Sequence, residues 1–112
     1  MPSWAHFQKF FIFLMIGCYI IYSEKLKRFY VGALQESLES RIQRHNNHFY
    51  GTSKFTSKAT DWKLFLFIEC ECYSQAIAIE RHIKRMKSSI YIHNLEKYSQ
   101  MQQKLKAKYK RT

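Results

Sequence analysis

Two tyrosines set eleven residues apart, each close to a glycine, are the first groups in this chain that could act together: Gly17-Cys18-Tyr19 and Tyr30-Val31-Gly32. Arg41 and His45 follow, four residues apart and so on one face of a helix, and Glu80 lies further along the chain. These residue types suit phosphate chemistry. A guanidinium offers a bidentate fork to phosphate oxygens, and a hairpin can set two phenolic hydroxyls side by side. Each residue alone has a plainer reading. A strand tyrosine is usually a packing residue, Glu80 is a natural solvated partner for Lys84 one turn on, and Arg41 is one surface charge among many.

Composition narrows the partners. The 112 residues are 46% hydrophobic and 17% aromatic, with one Pro and three Gly, which fits one domain and excludes disordered, collagen-like or Pro-rich chains. Nineteen Lys and Arg against eight Asp and Glu give a net charge of +11, which implies a polyanion: nucleic acid or an anionic membrane surface. With so few carboxylates, a dense cage for a hard cation is not expected, whereas one carboxylate with waters and a substrate phosphate remains feasible. Cys18, Cys70 and Cys72 are odd in number and lack the paired short spacings of a zinc site. They read as free thiols in a reducing compartment, and the expected location is the cytoplasm.

The elements that would position these groups follow from periodicity. Ile16–Ser23 reads as a strand, Glu24–Arg28 as a turn and Phe29–Ala33 as a second strand, together an antiparallel hairpin. Ser37 caps a helix carrying Leu38, Ile42 and His45, which ends at Asn46-Asn47-His48. A Ser/Thr/Gly/Lys-rich loop is expected from Phe49 to Asp61. Trp62–Glu71 reads as a third strand with both faces covered, since apolar residues hold both parities at its centre. Ser74 is expected to cap the next helix, with Ala76, Ile79, Ile83 and Met86 as its apolar stripe and Glu80 at the border of that stripe. Ser88-Ser89 recaps a further helical stretch, and Lys104, Lys106, Lys108, Lys110 and Arg111 make the tail a basic, fraying arm. The expectation is an α/β domain: a small three-stranded antiparallel sheet flanked by helices.

The apolar run Phe10–Tyr22 is short for a membrane span, and no small-residue cleavage site follows it. Its second half, rich in β-branched and aromatic residues, favours a buried strand over a membrane or export segment. Residues 1–15 are read as an apolar N-terminal extension, with a start placed upstream of the domain as one explanation. The domain proper is read as 16–98, and 99–112 as a basic C-terminal helix or tail.

In order and spacing, the two tyrosine motifs, Arg41, His45 and Glu80 resemble the GIY-YIG nuclease superfamily. The stretches Tyr22–Leu26, Arg28–Gly32, His45-Asn46, Phe55–Lys58, Asp61–Leu64 and Ile79–Lys84 are similar to its small stand-alone bacterial members, the excinuclease-C-like group. The first motif departs from the family pattern with Cys18 in place of Ile, and the segment after the first helix reads His-Asn-Asn-His-Phe-Tyr-Gly where these relatives often have His-Asn-Ser-Gly. The resemblance implies an endonuclease hydrolysing DNA phosphodiesters, in repair or processing, with catalytic residues Tyr19, Tyr30, Arg41, His45 and Glu80. It implies that Tyr19 orients or deprotonates the attacking water and that Glu80 holds Mg²⁺ or Mn²⁺. Arg41, Arg44, Lys84, Arg85 and Lys87 are the expected DNA contacts. A binding module with a degenerate site is the alternative, and a small membrane-associated protein a more distant one; no membrane partner is expected.

Overall fold

The computed structural model describes residues 15–48 and 55–111. The readings of residues 1–14 and of loop residues 49–54 lie outside the described residues. Among the described residues there are three strands: β1 (Met15–Ser23), β2 (Arg28–Glu36) and β3 (Lys63–Glu69). The helices are α1 (Leu38–Asn46), α2 (Tyr73–Met86), α3 (Ser89–Lys97) and α4 (Ser99–Lys108), with a short 3₁₀ turn at Phe55–Lys58. The sheet order is β2-β1-β3 and both pairings are antiparallel, so this is the expected α/β arrangement.

β1 takes the centre because its sequence, MIGCYIIYS, is apolar on both parities. Cys18 and Ile20 face a core completed by α2, α3 and α4, and Tyr19 and Ile21 face a second core with Leu34, Leu38 and Trp62. Gly17 is required where β1 meets β3, since a Cβ there would lie 2.3 Å from the Ile68 carbonyl oxygen. The hairpin turn is stapled from a distance. Asp61 accepts from the Ser23 hydroxyl (2.6 Å) and from the Lys25 amide (3.0 Å). Those bonds, the Ser23 hydroxyl first, hold the Asp61 carboxyl below its ordinary value. Ser37 caps α1 as expected, its side chain accepting from the Ser40 amide.

Several elements differ from the sequence expectation. β2 runs on to Glu36 because its register with β1 continues to Met15. Among the described residues β3 lies at an edge of the sheet. It sends Leu66 and Ile68 into one core and Phe67 against the other, but only Ile68 is fully buried and Leu64 is 46% exposed, so the cover of its two faces is partial. Cys72, not Ser74, is the N-cap of α2; Ser74 sits inside the first turn, within hydrogen-bond distance of the Cys72 thiol. Met86, at the far end of the stripe, is largely exposed.

The basic tail is not a frayed arm. It continues from Tyr98, which is the C-cap of α3 and the N-cap of α4, as a docked helix. Leu105 of α4 is buried, and the buried Gln75 of α2 donates to the Lys106 carbonyl (2.9 Å). Tyr109 is held by His82 (2.8 Å) and by Arg85, which donates to its hydroxyl (3.3 Å). Among the described residues no helix is long and apolar enough to cross a membrane.

Candidate functional site

Tyr19 stands opposite Gly32 in the β1–β2 register. A Cβ at Gly32 would lie 2.5 Å from the Tyr19 ring and hydroxyl, so this glycine makes the space across which the ring lies. The two motif glycines therefore act on packing, one toward β3 and one toward Tyr19. Tyr30 lies next to Tyr19, with ring centroids 6.3 Å apart, and His45 of α1 sits against both, at 5.8 Å from Tyr19 and 5.0 Å from Tyr30.

The Tyr19 hydroxyl and His45 Nε2 are 2.8 Å apart, and His45 Nδ1 meets the Thr56 hydroxyl at 3.0 Å. All three residues are buried, at 1%, 3% and 3% exposure. Burial, with Arg41 adding like charge, pushes the His45 pKa down to about 4, so the imidazole is neutral at pH 7. This has a consequence for stability. In the unfolded chain the same group titrates near 6.5, so between about pH 4 and 6.5 the unfolded state binds more protons and stability rises with pH. Lowering the pH from 7 to 5 should cost about 2 kcal/mol through His45. Urea denaturation of wild type and His45→Gln at the two pH values checks this: the gap between the proteins should narrow at the lower pH. A gap independent of pH would contradict it.

Arg41 projects from α1 toward the same cluster, its guanidinium carbon 5.9 Å from the centre of the Tyr19 ring. Its Nε donates to Glu36 Oε1 (2.6 Å), and Arg44 donates to Glu36 Oε2 (3.2 Å). Glu36, the last residue of β2, thus grips both arginines. Burial works against its charge, but hydrogen bonds and charges from the two arginines outweigh that and hold its carboxyl below the ordinary value.

Glu80 comes from α2, on the other side of the sheet. Its carboxylate, 19% exposed, accepts from Lys84 one turn on (3.3 Å), and Lys84 in turn stands 5.6 Å over the Tyr30 ring. Lys84 thereby connects Glu80 to the tyrosine cluster. Glu80 is also close enough to Cys18 that its charge, after burial, helps push that thiol up, so Cys18 stays a protonated thiol in the metal-free protein. No group of three or more His, Cys, Asp or Glu side chains suited to a metal occurs among the described residues. A single, partly buried carboxylate does fit Mg²⁺, which dehydrates reluctantly and takes one or two carboxylates beside waters and phosphate oxygens.

The structure thus gathers Tyr19, Tyr30, Arg41 and His45 in one cluster and brings Glu80 to it through Lys84. Arg44 joins through Glu36. Arg85 and Lys87 stand apart from the cluster: Arg85 helps dock Tyr109, and Lys87 ends α2 in the left-handed conformation (φ 49). Glu36 and Thr56 join the cluster without having stood out in the sequence. Glu36 carried a faint signal, an acid five residues before Arg41 and eight before Arg44. Thr56 carried none beyond its place in the Phe55–Lys58 stretch.

A family model described as the GIY-YIG catalytic domain matches residues 15–98. No curated protein and no solved structure matches the chain.

Proposed function

The chain belongs to the GIY-YIG catalytic domain family, a family of endonucleases, and from that premise we propose that it is a Mg²⁺-dependent endonuclease hydrolysing phosphodiester bonds of DNA. The observation that carries this reading is the Tyr19 hydroxyl held by a neutral His45 at 2.8 Å, with the Arg41 guanidinium 5.9 Å over its ring. Phosphodiester hydrolysis needs a positioned water, stabilised charge on the phosphoryl oxygens and help for the leaving oxygen. Arg41 binds the phosphate, restrained from behind by Glu36. Tyr19 orients the attacking water or takes its proton, and Tyr30 stands beside it in the same cluster. Glu80 is the residue that would hold Mg²⁺, or Mn²⁺ in its place, which when bound supplies Lewis-acid stabilisation of the phosphate. For that, Glu80 must loosen its pairing with Lys84, a contact weak enough to yield.

The substrate test compares matched duplex DNA, branched DNA and RNA of the same sequence. Cleavage of DNA is expected. Binding without cleavage would overturn the enzyme reading and leave a nucleic-acid-binding module with a degenerate site. A role in DNA repair or processing, membership of the small excinuclease-C-like group and a cytoplasmic location belong to the same proposal. The free thiols Cys18, Cys70 and Cys72 support a reducing compartment.

The +11 charge sets the second expectation. With about five phosphates neutralised, log K against log salt should have a slope of roughly −4 to −5. Arg41, Arg44, Lys84, Arg85, Lys87 and the basic tail (Lys104, Lys106, Lys108, Lys110 and Arg111) are the candidate contacts. Truncating the tail would remove Leu105 and Tyr109, which pack on the body. Replacing Lys104, Lys108, Lys110 and Arg111 by Gln is the sound variant: the slope measured by fluorescence anisotropy should shrink while cleavage at saturating protein stays unchanged. A salt-independent affinity would contradict backbone contacts.

A further inference from the structure

Thr56 is a buried polar residue that the proposed roles leave unused. Its position is fixed from two sides. Its carbonyl accepts from the indole N–H of Trp62 (2.8 Å), itself buried, and Asn46 of α1 holds the Trp62 main chain by accepting from its amide (2.7 Å) and donating to its carbonyl (3.1 Å). The 56–62 segment is therefore locked onto the helix that carries His45, and the Thr56 hydroxyl meets His45 Nδ1 at 3.0 Å.

A neutral imidazole donates from one nitrogen and accepts at the other. The buried chain Thr56–His45–Tyr19 consequently has two polarities. Either Thr56 donates to Nδ1 and Nε2–H donates to the Tyr19 oxygen, or the Tyr19 hydroxyl donates to Nε2 and Nδ1–H donates to Thr56. Whichever is adopted, what the Thr56 hydroxyl does at one end dictates what the Tyr19 hydroxyl does at the other. Resting on the nuclease reading above, we propose that Thr56 is a positioning residue: it selects a single tautomer of His45 and thereby sets the donor or acceptor role of the Tyr19 hydroxyl toward the attacking water. The analogous partner of a metal-bound histidine fixes its tautomer in the same way.

The test combines ¹⁵N NMR of the His45 ring at pH 7 with DNA-cleavage kinetics, on wild type, Thr56→Val and Thr56→Ser. Wild type should show one tautomer. Thr56→Val, which keeps the shape and loses the hydroxyl, should show a mixture or the other tautomer and lose about 10- to 100-fold in kcat with KM unchanged. Thr56→Ser should restore both the tautomer and the rate. A Thr56→Val protein with the wild-type tautomer, or with wild-type kcat, overturns the proposal. So does a wild-type His45 that interconverts between tautomers, a result needing no variant. Should wild type cleave no DNA, the nuclease reading fails while the tautomer comparison still decides whether Thr56 sets His45.

Discussion

Glu80→Gln is expected to abolish cleavage while the protein remains folded and bound to DNA. The substitution keeps size and hydrogen-bonding capacity and removes one negative charge. Its cost in stability is small, about 0.5 kcal/mol or less, because the pairing with half-exposed Lys84 is an i,i+4 surface contact. Its cost to chemistry is large, because Mg²⁺ takes carboxylate oxygens and a neutral amide is a poor substitute. No set of three metal-ligating side chains among the described residues stands ready to compensate. DNA affinity should stay the same or tighten slightly, since a charge that repels phosphate is gone. Cleavage assays alongside anisotropy and thermal melts separate these effects. Wild-type cleavage by this variant would remove Glu80 from the mechanism.

Tyr19→Phe is expected to lower turnover by about 10²- to 10⁴-fold, the usual range for general acid–base assistance. That corresponds to about 3–5 kcal/mol of transition-state stabilisation. The ring stays across Gly32, so packing is preserved, but the hydroxyl is not idle in the free protein. It is buried and bonded to His45, so its loss leaves His45 Nε2 without that partner and should cost about 1–3 kcal/mol of stability. Kinetics must therefore be read well below the melting temperature, where the variant is fully folded and only the chemical step differs. Tyr22→Phe is the control. Tyr22 packs on Phe29, with centroids 4.8 Å apart and on the opposite face of β1 from Tyr19, so its effects on rate and stability should be small. Equal, small rate effects at both positions would make Tyr19 a packing residue.

Much of this arrangement is legible in the residues themselves. The apolar run of β1, the polar turn after it and the Ser37 cap declare themselves locally, and each forms where the pattern places it. β3 departs from its pattern because an apolar run on both parities does not say whether a strand lies at the centre or the edge. That depends on which strand β1 pairs with on each side. The tail departs for a related reason: its lysines are local, whereas the bonds that dock it, Gln75 to the Lys106 carbonyl and His82 to Tyr109, join residues 31 and 27 apart in the chain. The site divides the same way. Tyr19, Tyr30, Arg41 and His45 stand out by type and spacing. Thr56 does not, because one hydroxyl in a stretch rich in Ser, Thr and Lys looks like any other until the fold buries it against an imidazole.

Hydrolysis of DNA by this cluster with a divalent cation can be tested without any variant. The most direct measurement is single-turnover nicking of supercoiled plasmid by the purified wild-type protein, run with Mg²⁺ and again in excess chelator. Conversion to nicked circles is expected with Mg²⁺, none in chelator, and recovery when Mg²⁺ is restored. Tight plasmid binding with no nicking under any of these conditions, or nicking that persists undiminished in chelator, would contradict it.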